Sequence, residues 1–203
     1  ILEKDRPIHR RSCGGVTLTG GDPLSQPEPV AELLELCHKR GIHTVVETCA
    51  YANEVTFKQI LEKVDWLFID LKHMDPEKHK ALTGKTNELI LDNFRQVLSV
   101  MGPEDVMIRI PMIPGCNDSI ENISQSASFI AELGFKQIEL IPYHRMGVSK
   151  YSQYGMDYPL NGVEPTPPKE IQDLQNILKE IESAINALTA KRDLEEKEER
   201  DKH

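Results

Sequence analysis

Trp66-Leu67-Phe68-Ile69-Asp70-Leu71 is a nearly continuous apolar run. A run of this kind reads as a strand buried on both faces, as in a parallel sheet. On its N-terminal side, Asn53 to Val64 carries Val55, Phe57, Ile60 and Leu61 at helical spacing. Before that, Ile42 to Glu47 reads as a strand centred on Val45-Val46, and Glu28 to Arg40 as a helix through Val30, Leu33, Leu34 and Cys37. Lys39 and Arg40 suit the last turn of that helix and Gly41 its cap. Val16-Thr17-Leu18 reads as a strand ended by Gly20-Gly21. On the C-terminal side, Asp75 to Leu82 predicts a short helix with Pro76 at its first position. Asn87 to Met101 predicts another, and Ser119 to Leu133 a third, stopped by Gly134. Between them, Val106 to Ile113 is a strand that Pro111 should break, placing its end at a bulge or rim. Gln137 to Ile141 is a fifth strand. The stretch from Gly147 to Pro168 is expected to be mostly loop, and Pro168 to open a helix through Ile171, Leu174, Ile177, Leu178, Ile181, Ile185 and Leu188. Residues 189–203 form a tail, charged from Lys191 onward with only Leu194 apolar. Strand alternating with helix predicts a right-handed parallel α/β sheet or partial barrel.

The chain has 203 residues and a formal net charge of −9. A surface of that sign repels a duplex or an anionic membrane, so neither nucleic acid nor membrane is expected as a partner. With 39% hydrophobic and 28% charged residues the composition is globular. No apolar run approaches the roughly 20 residues of a membrane span. Ile1 to Arg11 lacks the apolar centre of a secretory leader, and the expected location is cytoplasmic. The first residue is not Met, and the chain is expected to be a piece of a longer protein. The four cysteines, Cys13, Cys37, Cys49 and Cys116, include no C-x-x-C pair, so neither a zinc ribbon nor a dithiol centre is encoded locally. Reduced thiols, mostly buried as small hydrophobes, are the expectation, which leaves the sequons at Asn117 and Asn122 without use.

In parallel α/β folds the chemistry sits at the carboxyl ends of the strands. Polar residues collect there: Thr19-Gly20-Gly21-Asp22-Pro23 after the first strand, Glu47-Thr48-Cys49 after the second, and Asp70-Leu71-Lys72-His73 after the third. Arg109 precedes Pro111 in the fourth, followed by Pro114-Gly115-Cys116-Asn117-Asp118, and Pro142-Tyr143-His144 closes the fifth. Each has a plain structural reading. The glycine pair marks a turn, Asp22 caps a helix, Asp70 and Lys72 form an ion pair, and His144 is a half-buried, satisfied histidine. Taken together they describe a polar rim compatible with a zwitterion.

Gly14-Gly15-Val16-Thr17-Leu18-Thr19-Gly20-Gly21-Asp22-Pro23-Leu24 resembles the glycine-rich segment of glycyl-radical-enzyme activating enzymes of the radical S-adenosylmethionine type. The resemblance continues through Glu47-Thr48-Cys49, Asp70 to Met74, His79 with Thr83-Gly84, Asn87, Ile90-Leu91 and Asn93. It then runs through Arg109-Ile110-Pro111, Ile113-Pro114-Gly115, Asn117-Asp118, and Pro142-Tyr143-His144 with Gly147, Lys150 and Tyr151. It spans about residues 8 to 180. It implies a truncated, TIM-like (β/α)6 barrel over residues 1–188, with five parallel strands retained and the first missing. The activity implied is reductive cleavage of S-adenosylmethionine by a [4Fe-4S] cluster, after which the 5′-deoxyadenosyl radical takes a hydrogen from a backbone glycine of the partner. The implied partners are a glycyl radical enzyme, such as pyruvate formate-lyase, and an electron donor such as flavodoxin or ferredoxin.

By the same resemblance, Gly20, Gly21 and Asp22 hold the methionyl amino group, and Lys72, Arg109 and His144 contact the cofactor or the incoming glycyl loop. Glu47, Thr48 and Asp70 match positions that help hold a monovalent cation. Three departures stand out. Asp22 replaces the usual Glu, Ala50 replaces a usual Gly, and the C-x-x-x-C-x-x-C loop that ligates the cluster is absent from the 203 residues. The parent protein is therefore read as the enzyme and these residues alone as inactive. Two rivals remain at this point: a cluster-less binding or interaction domain of the same fold, and an unrelated barrel lyase that uses Lys72 as an amine nucleophile.

Overall fold

The computed structural model describes residues 2–12, 14–181 and 183. In chain order the elements are α1 (Leu2–Ser12), β1 (Gly15–Leu18), α2 (Pro27–Lys39), β2 (His43–Thr48), α3 (Glu54–Leu61), β3 (Trp66–Asp70), α4 (Pro76–Thr83) and α5 (Glu88–Val97). They continue with β4 (Val106–Met112), α6 (Ile120–Leu133), β5 (Ile138–Pro142) and α7 (Val148–Gln153). Residues 168–181 are also helical. The five strands form one all-parallel sheet in the order β1-β2-β3-β4-β5. This is the expected order, with β1 at one edge and paired, among the described residues, with β2 alone.

Local chemistry explains the boundaries. The Asn53 side chain accepts the Thr56 N–H at the start of α3, Asp75 accepts those of Glu77 and Lys78 at the start of α4, and Ser119 accepts that of Asn122 at the start of α6. α6 ends on Gly134 in the left-handed conformation. Gly15 is required by close approach, because a Cβ there would run into the carbonyl of His43 on β2. Thr44, Val46, Leu67, Ile69, Val106, Ile108, Ile110, Met112 and Leu140 make one buried face of the sheet. Leu34 of α2, Phe57 and Ile60 of α3, Phe94 and Val97 of α5 and Ile123 and Ile130 of α6 join the same core, as do Leu174 and Leu178 of the last helix.

Three expectations are corrected. First, β3 is not buried on both faces. Leu67 and Ile69 are fully buried, but Trp66, Phe68 and Asp70 are half-buried on the opposite side. The core helices pack on the face that carries Leu67 and Ile69. Second, Pro111 does not break β4, which stays in register with β5 through Pro111↔Ile141 and Met112↔Pro142. Leu71 donates to the Arg109 carbonyl, while Ile108 donates to Gln137 on the β5 side. By alternation the Pro111 nitrogen faces β3, past that strand's last residue, where no partner for an N–H is lost. Third, the stretch after Gly147 contains α7, and α1 occupies residues for which no helix was expected. The tail 189–203 lies outside the described residues.

Candidate functional site

Asp22 follows the turn that leaves β1. Gly20 there has φ 137, a conformation open to glycine and strained for other residues. Asp22 itself is extended and caps a short 3-10 turn at Pro23–Ser25, its Oδ1 accepting the Leu24 N–H at 2.9 Å. The capping role and a site role therefore coexist in one carboxylate. The Thr48 hydroxyl donates to Oδ1 at 2.9 Å and Oδ2 at 3.1 Å. The Cys49 N–H donates to Oδ2 at 2.9 Å, and the Cys49 thiol reaches the same oxygen at 3.0 Å. Burial, the hydrogen bond to Asp22 and that carboxylate's charge push the Cys49 thiol up to about 11.

A second group forms on the half-buried face of the sheet. Arg109 lies opposite Asp70 in the β3–β4 register and grips it with Nε and Nη2, both at 3.0 Å. Its Nη1 lies 3.3 Å from Oε1 of Glu47, whose Oε2 accepts the Thr19 hydroxyl at 3.0 Å. The guanidinium also stacks over the Phe68 ring, 4.8 Å from its centroid. Burial raises the Asp70 carboxyl above its ordinary value, and the positive charges of Arg109 and Lys72 oppose the rise. Asp70's ion-pair partner is Arg109, not the Lys72 that its spacing suggested.

Beside the Asp22 group opens a pocket of about 280 Å³ lined by Asp22, Cys49, Tyr51, Lys72, His79 and Lys85, among others. A carboxylate and two ammonium groups on one small cavity suit a zwitterionic ligand. Glu47 and Thr48 are adjacent on β2 and point to opposite faces, Glu47 to Arg109 and Thr48 to Asp22. The expected cation cage of Glu47, Thr48 and Asp70 is therefore not assembled. Glu47 and Asp70 instead share the single guanidinium of Arg109. His144 is exposed and caps the short 3-10 turn at Arg145–Gly147, without a side-chain bond to the backbone there. It is not half-buried, and it is not among the residues that line the pocket. Gly20 and Gly21 are exposed at the rim. Among the described residues no three His, Cys, Asp or Glu side chains gather as a metal site, so the described cysteines do not fit a cluster.

Four buried asparagines brace the rim, a role that the sequence reading did not assign to them. Asn93 donates to the carbonyls of Ala50 and Ala52, both at 2.8 Å. Asn87 donates to those of His73 and Met74. Asn117 donates to Lys72 and Pro111 and accepts the Ile113 N–H, each at 2.7 Å. Asn122 donates to the Asn117 carbonyl and accepts the Met74 N–H. Asn117 and Asn122, read as idle sequons, thus tie the loop after β3 to the loop after β4. Ala50, buried at φ 58, is the only non-glycine with positive φ among the described residues, at the position where the resemblance leads one to expect glycine.

The sequence model of the radical SAM superfamily matches residues 1–127. The chain belongs to the radical SAM superfamily. Its relatives within that superfamily are activating enzymes of glycyl radical enzymes. It is 36% identical over 192 residues to the choline trimethylamine-lyase activating enzyme of Oleidesulfovibrio alaskensis, a match covering 93% of this chain and 61% of that protein. It is 42% identical over 167 residues to the 4-hydroxyphenylacetate decarboxylase activating enzyme of Clostridioides difficile, covering 82% and 53%. With the pyruvate formate-lyase-activating enzyme of Clostridium pasteurianum it shares 36% identity over 181 residues, covering 89% and 75%. Among solved structures, a domain of pyruvate-formate lyase-activating enzyme from Bacteroides vulgatus superposes with a TM-score of 0.67 at 33% identity, over 83% of this chain and 94% of that one. This radical SAM chain spans 53% to 61% of the length of the first two relatives. The sheet is the partial radical SAM barrel that the resemblance implied.

Proposed function

We propose that this chain forms the S-adenosylmethionine-binding wall of an enzyme that activates a glycyl radical enzyme. The observation that carries the reading is Asp22 and Lys72 on one pocket at the carboxyl ends of the strands, in a radical SAM sheet. When bound with a reduced cluster, S-adenosylmethionine supplies hydrogen-atom abstraction from a backbone glycine. Asp22, with the carbonyls of Gly20 and Gly21, accepts the methionyl ammonium. The Lys72 ammonium faces the cofactor carboxylate across the same pocket. Arg109, held rigid by Asp70 and Glu47 over Phe68, presents its charge on the half-buried face that receives the partner's glycyl loop. His144, exposed at the end of β5, sits on the partner side.

The partner in this reading is a glycyl radical enzyme of the pyruvate formate-lyase kind, and the electron donor a flavodoxin or ferredoxin. The cysteine spacing supports a cluster held outside these 203 residues, which alone are then inactive. Calorimetric titration with S-adenosylmethionine tests the binding role. Asp22→Asn and Lys72→Met should each weaken binding about tenfold or more, the cost of one charge-assisted hydrogen bond in a partly buried site. Unchanged binding in both variants, or a borohydride-trapped adduct on Lys72, would overturn it.

A further inference from the structure

The acceptor capacity of Asp22 is already met by its own chain. Two carboxylate oxygens offer about four lone-pair sites. Four donors fill them: the Leu24 N–H, the Thr48 hydroxyl, the Cys49 N–H and the Cys49 thiol. A ligand ammonium therefore gains a place on Asp22 only if one of these withdraws. Three of them are fixed. The Leu24 N–H belongs to the turn that Asp22 caps, and the Cys49 N–H belongs to the backbone at the end of β2. Thr48 is buried, and its hydroxyl oxygen also accepts the Ala50 N–H at 3.0 Å, which pins its rotamer. The thiol is different. It is a weak donor, it sits on a half-buried side chain, and rotation about one bond removes it from Oδ2. Asp22 and Cys49 both line the pocket that Lys72 shares.

We propose that the Cys49 thiol holds the acceptor site on Asp22 that a ligand's ammonium takes, and that it turns aside when the ligand binds. Cys49 is then a positioning residue. It keeps a shortened carboxylate satisfied and oriented in the free protein, and its displacement weakens binding by the worth of one S–H···O bond. The exchange runs toward the ligand because an ammonium brings a full positive charge to the carboxylate, whereas the thiol is a weak, uncharged donor. The inference rests on the reading that Asp22 receives the amino group.

The test compares binding of S-adenosylmethionine with that of 5′-methylthioadenosine, which has no amino group, to the full 203-residue chain. Cys49→Ala should bind S-adenosylmethionine about three- to tenfold more tightly, because no donor has to be displaced. Cys49→Ser, with a stronger donor, should bind no more tightly than the wild type. Methylthioadenosine should not distinguish the three proteins. The infrared S–H stretch, assigned by its loss in either variant, gives a readout independent of the variants' affinities. It should shift when S-adenosylmethionine saturates the wild type and stay put with methylthioadenosine. Equal or weaker binding by a Cys49→Ala protein with an unchanged unfolding midpoint overturns the proposal, as does an unmoved S–H band at saturation. If Asp22→Asn binds as tightly as the wild type, or if no variant binds millimolar ligand, the assignment of Asp22 itself falls. If Asp22→Asn loses binding while Cys49→Ala changes nothing, only the exchange falls.

Discussion

Replacing Asn117 with Ala should destabilise the protein by about 3 kcal/mol. The side chain is 2% exposed and makes three hydrogen bonds of 2.7 Å, to the carbonyls of Lys72 and Pro111 and from the Ile113 N–H. Alanine leaves three part-buried backbone groups without this partner, and each unsatisfied group costs about 1–3 kcal/mol when shielded from water. Water entering the small void returns part of that, which places the sum near the low end. In a domain of this size a loss of 1 kcal/mol lowers Tm by about 2–4 °C, so a fall of about 6–12 °C is expected. Urea unfolding followed by circular dichroism, with calorimetry for Tm, measures both quantities. Asn117→Asp is the sharper companion. It keeps the acceptor for Ile113 but sets a carboxylate against two carbonyls, so it should be at least as damaging near neutral pH and recover partly on acidification, when a protonated carboxyl donates again. Glu132→Ala, on the exposed side of α6, serves as the control. A loss below about 0.5 kcal/mol for Asn117→Ala, the range of an ordinary surface change, would refute the view that this carboxamide braces the rim.

Gly15→Ala should be among the most damaging single-methyl additions, because its Cβ meets the β2 backbone at His43 rather than a side chain that can move; soluble yield and Tm will show it, and a near-normal Tm would argue against that register. Ala50→Gly should be neutral or stabilising by up to about 1 kcal/mol, since φ 58 favours glycine, whereas a clear destabilisation in urea melts would show that the loop relies on the alanine methyl. His73 is buried, its Nδ1 accepts the Asp75 N–H, and burial, assisted by the charge of Lys78, lowers its pKa below the ordinary value. A depressed folded pKa means that its contribution is complete above about pH 6.5, the unfolded value, and is lost as pH falls through the folded one. His73→Asn, which can keep the acceptor without titrating, should flatten the unfolding free energy across that window; an unchanged pH profile would count against the assignment.

Much of this protein is written in local pattern. Helical spacing in Glu28 to Arg40 and Ser119 to Leu133, apolar runs at Val45-Val46 and Trp66 to Ile69, and caps at Asp75, Ser119 and Gly134 depend on residues within a few positions of one another. They gave five strands in a parallel order, with polar residues at their carboxyl ends, before any contact was known. The sequence also marked Asp22, Lys72 and Arg109 as site residues, because in such a sheet the strand ends converge. What no local pattern carries is the partner of a side chain far away in the chain. Asp70 was read with Lys72 two residues on, yet its guanidinium comes from Arg109, brought opposite by the β3–β4 register. Glu47 and Thr48 looked like one cage and face opposite sides of β2. Asn117 and Asn122, whose sequons were read as without use, are buried and hydrogen-bond to backbone groups of other loops. Half-burial of Trp66 and Phe68 depended on which sheet face the helices cover. Periodicity determines what a segment becomes, while pairing, burial and charge compensation arise only when distant segments meet, and there the tertiary structure alone decided the site.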